Sequence, residues 1–157
     1  MKYTNIIVCM LLILIIHIIA CEEKMQFSGF YDLPAGSIVK KIEPVMPNII
    51  SAHAIYNSDN KFLEFNYKIK ATSKSGSFII WARVNSNLQI INISIPDYPF
   101  THGYNATTRN YLAKFISKTK KEFAGIDTVS GATSTSNAIT QALNIIIKEA
   151  IINLKKI

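Results

Sequence analysis

The spacing of apolar residues in this chain changes from every second position to every third or fourth, and that change restricts the folds open to it. Four strand-like runs come first: Ile49 to Tyr56, Lys61 to Ile69, Phe78 to Val84 and Leu88 to Ile95. In the second run Leu63, Phe65, Tyr67 and Ile69 alternate with Phe62, Glu64, Asn66 and Lys68, so one face is expected to cover a core. The fourth sets Ile91, Ile93 and Ile95 against Asn92 and Ser94, and the hairpin it makes with the third is the firmest strand signal. Turn-forming clusters separate the runs at Asn57-Ser58-Asp59-Asn60, Thr72-Ser73-Lys74-Ser75-Gly76 and Asn85-Ser86-Asn87. From near Ser136 to about Leu154 the period becomes helical, with Ile139, Leu143, Ile146, Ile147, Ala150, Ile151 and Leu154 on one stripe. A second helix is expected from about Ala106 to Lys118, burying Leu112, Phe115 and Ile116. A short one, capped by Ser37, is expected from Ile38 to Glu43 and stopped by Pro44 and Pro47. The expected class is α+β: an antiparallel β-sheet with a short N-terminal helix and two C-terminal helices packed on it.

The 157 residues, 49% hydrophobic and only 17% charged, suffice for one domain with one core and exclude a disordered chain. Ahead of that domain, a weakly basic start at Lys2 leads into an apolar run from Ile6 to Ala20, broken only by His17. The run is shorter than the roughly 20 residues a spanning helix needs, and fits the apolar region of an export signal. It ends Ile18-Ile19-Ala20-Cys21, which resembles a bacterial lipobox. That resemblance implies cleavage after the small Ala20 and diacylglycerol on Cys21. The organisation expected is a lipoprotein signal peptide, or an N-terminal membrane anchor, over 1–20, a tether over 21–36 and a domain over 37–157. Either leader puts the domain on the extracytoplasmic face of a bacterial cytoplasmic membrane, or makes it a periplasmic or outer-membrane lipoprotein, with membrane lipid as a partner.

Cys9 and Cys21 are the only cysteines, so the domain itself has no disulfide and no thiolate centre; redox chemistry in it requires a bound cofactor. The formal charge of +7 suits an anionic ligand or an anionic lipid surface. Nucleic acid is not expected, since Arg83 and Arg109 are the only arginines and no basic helix with interleaved aromatics occurs. His53 and His102 have no metal-ligand spacing to a second histidine or an acid, so no metal site is expected. Ser130, His102 and Asp127 could be drawn as a hydrolase triad, but no nucleophile elbow supports it. Lys114, Lys118, Lys120 and Lys121 read as a solvated face.

The most informative stretch is Asp127-Thr128-Val129-Ser130-Gly131-Ala132-Thr133-Ser134-Thr135-Ser136. Gly131 permits a turn closed to residues with a Cβ, and Ala132 keeps the approach to Thr133 open. Free N–H groups of Thr135, Ser136 and Asn137 at a helix start would suit an anion. A simpler reading has Ser134, Thr135 and Ser136 merely capping the last helix, but it does not require Asp127, Ser130, Gly131, Ala132 and Thr133 in that order.

The stretch resembles the flavinylation motif of the FMN-binding domain family, which includes the covalent-FMN subunits of the Rnf electron-transport complex and of the sodium-pumping NADH:quinone oxidoreductase. The resemblance implies FMN attached through a phosphoester to Thr133 by a separate flavin transferase, with Asp127, Ser130, Gly131, Ala132, Ser134, Thr135 and Ser136 around it. Upstream, Phe100-Thr101-His102-Gly103-Tyr104-Asn105 matches the family's Glu-Thr-Pro-Gly-Leu-Gly at Thr101 and Gly103 and departs from it at Phe100, His102 and Asn105. His102 either contacts the flavin or is a loop residue; Tyr98, Phe100 and Tyr104 either stack on a flavin ring or close the core. By this resemblance the chain is an electron-carrying flavoprotein rather than an independent enzyme. Its partner would be a redox protein or a quinone- or NADH-linked complex. A non-catalytic exported binding module and an extracytoplasmic flavin reductase are the alternatives.

Overall fold

The computed structural model describes residues 33–157; the leader, Cys21 and most of the expected tether lie outside the described residues. The chain divides into two units, Met1–Gly36 and Ser37–Ile157, and the architecture below is that of the second.

Five antiparallel strands form one sheet in the order β1-β2-β3-β4-β5: Ile38–Ile42, Ile49–Tyr56, Phe62–Ser73, Gly76–Asn85 and Ile90–Ser94. The helix expected over Ile38 to Glu43 is therefore a strand. Six residues between Ser37 and Pro44 cannot offset the cost of nucleating a helix. The same residues find a full set of backbone partners along β2, from Ile38 opposite Tyr56 to Ile42 opposite Ala52. β-Branched Ile38, Val39 and Ile42 favour that outcome.

Strands β3 and β4 are the longest pair, in unbroken register from Glu64 opposite Asn85 to Ser73 opposite Gly76. Phe65, Tyr67 and Ile69 enter the core as the alternation required. Phe62, however, stacks on Phe65 with ring centroids 4.6 Å apart. A register shift between Ile55 and Tyr56 puts Tyr56 opposite Phe62 and leaves Leu63 as the extra residue of a bulge. The other face of β3 is not simply wet: Glu64 and Asn66 are buried, and Arg83 of β4 grips Glu64 through two 2.7 Å bonds, Nε to Oε1 and Nη2 to Oε2. A second bulge corrects the pattern of β5. Val84 faces Ile90 while Arg83 faces Asn92, so Ile90 and Ile93 are buried and Ile91 is the inserted residue.

After β5 come a 3-10 turn Tyr104–Thr107, a single α-turn α1 (Arg109–Leu112), further 3-10 turns Ala113–Phe115 and Lys120–Gly125, and the long helix α2 (Thr133–Leu154). The helix expected from Ala106 to Lys118 is thus broken into short pieces. Thr107 and Thr108 hydroxyls donate to the carbonyls of Tyr104 (2.8 Å) and Asn105 (3.0 Å), competing with the helical ladder, and Thr108 is extended at φ −67°, ψ 149°. Leu112 and Phe115 are nonetheless buried and Ile116 half-buried.

Helix α2 lies on β3 and β4, burying Ile139, Leu143, Ile146, Ile147 and Ala150. Two polar residues are buried with them in the second half of the helix, Glu149 and Asn153. The Glu149 carboxylate, fully buried, accepts the N–H groups of Val45 (3.1 and 3.2 Å) and Met46 (2.8 Å), tying the β1–β2 loop to the helix. The Asn153 amide donates to both Glu149 and the Tyr67 hydroxyl, each at 3.2 Å. Burial, above all, pushes the Tyr67 hydroxyl well above its ordinary pKa. Among the described residues no helix is long and apolar enough to cross a membrane.

Candidate functional site

The head of α2 is set by a tight turn. The Ala132 N–H donates to the Val129 carbonyl (2.9 Å), with Ser130 and Gly131 at the corner. Gly131 has φ +73° whereas Ser130 is not left-handed, which is the pattern of a type II turn. A Cβ on Gly131 would meet nothing within 4 Å, so the glycine is needed for its backbone angle and not for space. Ser136, one turn into the helix, locks the turn: its Oγ accepts the Val129 N–H (3.1 Å) and donates to the Ala132 carbonyl (3.1 Å).

Helix α2 therefore begins at Thr133, earlier than the apolar stripe suggested, because the stripe marks burial and not the helix boundary. Ala132 is the N-cap residue and no side chain caps the helix. The Ser136 N–H is already spent on the Ala132 carbonyl (2.9 Å), so the groups left without intrahelical partners are the N–H of Thr133, Ser134 and Thr135. With no acid in the first turn, the partial positive charge of the helix end is uncompensated. Ala132 is buried in the core.

Each of the other hydroxyls here has a structural partner, so none serves as the cap that the simpler reading required. Ser134 Oγ accepts the N–H of Lys74 in the β3–β4 turn (2.8 Å). Tyr98 donates its proton to the His102 carbonyl (2.8 Å), so Thr135 Oγ1 is the donor in the 2.9 Å bond between Thr135 and the Tyr98 oxygen. Thr133 is exposed, and its Oγ1 has no hydrogen-bond partner among the described residues.

The 98–103 loop packs against this helix end. Gly103 has φ +87°, and a Cβ there would overlap Thr135 Oγ1 and come within 2.7 Å of the Tyr98 oxygen. The Phe100 ring lies over Gly76, where a Cβ would also overlap it, and packs edge-on against Tyr98 with centroids 5.4 Å apart. Phe100 thus plugs the hairpin from outside, and Tyr98 closes the core against Phe78 (5.1 Å). Tyr104 is 59% exposed. His102 acts through its carbonyl, which also accepts from Ser75 Oγ (3.3 Å), while its ring nitrogen lies 3.3 Å from Thr101 Oγ1.

Beside Thr133 a groove of about 500 Å³ opens between the sheet and the helix. Thr72, Ser73 and Lys74, at the end of β3 and its turn, form one wall. Thr133, Ser134, Asn137, Ala138 and Gln141 form the other. The volume is within the ~300–1,000 Å³ of small-molecule sites; all lining residues but Ala138 carry a polar group, while the surface they expose is about equally polar and apolar.

Of the residues anticipated from the sequence, Gly131, Ala132, Thr133, Ser134, Thr135, Ser136 and Gly103 meet at this helix end. Asp127, Ser130 and Thr101 are exposed at its margin, and no hydrogen bond joins Asp127, Ser130 and His102 as a triad. Sequence reasoning missed the side chains of Lys74, Asn137 and Gln141; of Asn137 it named only the backbone N–H. The two amides lie four and eight residues beyond Thr133, a signal usable only once the helix is known to start there; Lys74 comes from a turn 59 positions earlier and leaves no local signal.

Residues 76–148 match the family model described as FMN-binding domain. No curated protein matches the chain. The matched stretch runs from β4 through most of α2 and includes the whole turn around Gly131.

Proposed function

Starting from the FMN-binding domain at residues 76–148, we propose that this protein bears FMN covalently on Thr133 and passes electrons through it. One observation carries the attachment: of the four hydroxyls from Thr133 to Ser136, only that of Thr133 is exposed and without a partner. The surroundings fit the group. Three unpaired N–H groups and the nearby Lys74 favour a phosphodiester, by ~0.3–1 kcal/mol for the helix end when exposed. Bound FMN supplies reversible uptake and release of electrons, and a phosphate linkage leaves its ring unsubstituted.

An isolated threonine hydroxyl is a weak nucleophile, so a transferase must activate it. The substrate has to be a flavin whose phosphate is already in a phosphoanhydride. Thr133 Oγ1 forms the new bond to phosphorus as the anhydride P–O bond breaks. The departing phosphate takes the bonding pair, and the Thr133 proton passes to a base of the transferase. Electron donor and acceptor are then a redox protein or a quinone- or NADH-linked complex, with the domain held outside the cytoplasmic membrane by lipid on Cys21.

Protein produced beside an active transferase should be heavier by FMN less one water and should fluoresce yellow through denaturing electrophoresis. Thr133→Ala should abolish both, whereas Ser134→Ala and Thr135→Ala should keep them. Fluorescent Thr133→Ala, or wild type that never gains the mass, refutes the attachment; the latter result favours an exported binding module. For the anchor, Cys21→Ser should leave the detergent phase, and retention there with an intact leader contradicts lipidation.

A further inference from the structure

The groove beside Thr133 has a wall that the family match does not reach, since Thr72, Ser73 and Lys74 precede residue 76. Its shape follows from helix geometry. Thr133, Asn137 and Gln141 stand at i, i+4 and i+8, one stripe about 12 Å long. Its chemistry is that of a polyol site, because every lining side chain except Ala138 offers a donor or an acceptor. Those donors and acceptors match a chain of hydroxyls ending in phosphate, and the carbon stems between them suit its methylene and methine groups. The one charge in the lining is the exposed Lys74, and no acid forms an ion pair with it among the described residues. Its backbone is fixed to the helix by the Ser134 bond, which roots its side chain beside Thr133 and leaves the ammonium within reach of a phosphate there.

We infer that this groove seats the ribityl phosphate of the flavin, with Lys74 against the phosphate and the Asn137 and Gln141 amides on the ribityl hydroxyls. The inference rests on Thr133 as the attachment point and adds the direction in which the flavin leaves it: along the outer stripe of α2, away from Gly103 and the exposed Tyr104. The ring then lies beyond the groove.

The test loads wild type, Lys74→Ala, Tyr104→Ala and the double variant Asn137→Ala/Gln141→Ala with flavin by the transferase, reading intact mass over time and the fluorescence anisotropy of the attached flavin. Asn137 and Gln141 are exposed, so the double variant should fold as wild type does, which thermal melting checks. In wild type the flavin should tumble with the protein. In the loaded double variant its anisotropy should fall by about half as local rotation sets in. Lys74→Ala should load about tenfold more slowly, the loss of one charge-assisted bond, and Tyr104→Ala should match wild type. A folded double variant that cannot be loaded also supports the groove, because the flavin must then enter it during transfer. Unchanged anisotropy in the loaded double variant overturns the inference, as does a fall confined to Tyr104→Ala. Wild type that gains no mass is a different result and defeats the Thr133 assignment itself.

Discussion

Replacing Gly103 by alanine should cost far more than the same change at Gly131, although both glycines have positive φ. At Gly131 (φ +73°) a methyl group meets nothing within 4 Å, so the cost is the left-handed backbone alone, about 1–2 kcal/mol. At Gly103 (φ +87°) that cost recurs, and the methyl also overlaps Thr135 Oγ1 and lies 2.7 Å from the Tyr98 oxygen. Relief requires the loop to lift, which forfeits the Tyr98–Thr135 bond, about 1 kcal/mol. It also loosens the edge-on contact of Tyr98 with Phe78, worth ~0.5–1.5 kcal/mol. The sum is about 3–4 kcal/mol, or a fall in Tm of ~10 °C or more for a domain of this size, against ~5 °C for Gly131→Ala. Thermal and urea denaturation of the two variants measure the difference. Because Thr135 supplies the closest contact, Gly103→Ala/Thr135→Ala should be about 1 kcal/mol more stable than the summed single effects predict. Equal costs at the two glycines, within ~0.5 kcal/mol and with additive behaviour at Thr135, would show that close approach is not what reserves position 103 for glycine.

Glu149→Ala removes the acceptor of two backbone N–H groups and of the Asn153 amide, and should destabilise by about 2–4 kcal/mol in urea; a loss below ~1 kcal/mol would contradict the bridge to the β1–β2 loop. Ser136→Ala unties the turn at both ends and should cost about 1–2 kcal/mol while slowing flavin loading at Thr133; unaltered loading would show that the lock does not present the threonine. The Thr119 backbone N–H, first, and then its hydroxyl and Lys118 hold the Glu122 carboxyl below its ordinary pKa. A lowered folded-state pKa contributes stability above the unfolded value and loses it as pH falls through the folded value. The advantage of wild type over Glu122→Gln should therefore be full at neutral pH and shrink on acidification below the usual glutamate range, and a pH-independent difference would exclude the carboxylate as its source.

Much of the sheet could be read from local pattern. The run Ile49 to Tyr56 is β2 residue for residue, and the period-two signal placed β3, β4 and β5 to within a few positions. What escaped were features for which a one-residue change of register matters. Leu63 and Ile91 fit an alternating pattern on paper, but bulges beside Tyr56 and Val84 shift them out of it, and a bulge is decided by the partner strand. Ile38 to Ile42 has a helix-compatible pattern and becomes a strand because β2 offers its edge.

The sequence alone determined the α+β class, the long closing helix and the turn at Gly131, because apolar period and glycine stereochemistry are local properties of the chain. It also singled out Thr133, through the order of residues from Asp127 to Ser136. Only the tertiary structure decided which hydroxyl at the helix head remains free. Ser134, Thr135 and Ser136 are chemically as able as Thr133, but the β3–β4 turn, the Tyr98 loop and the Val129 turn each claim one of them. Those claims join residues as many as 60 positions apart, and they depend on packing the sheet, a loop and a helix against one another. The same packing brings Lys74 to the groove and forbids a side chain at Gly103, because non-bonded contact depends on distance in space and not on position along the chain.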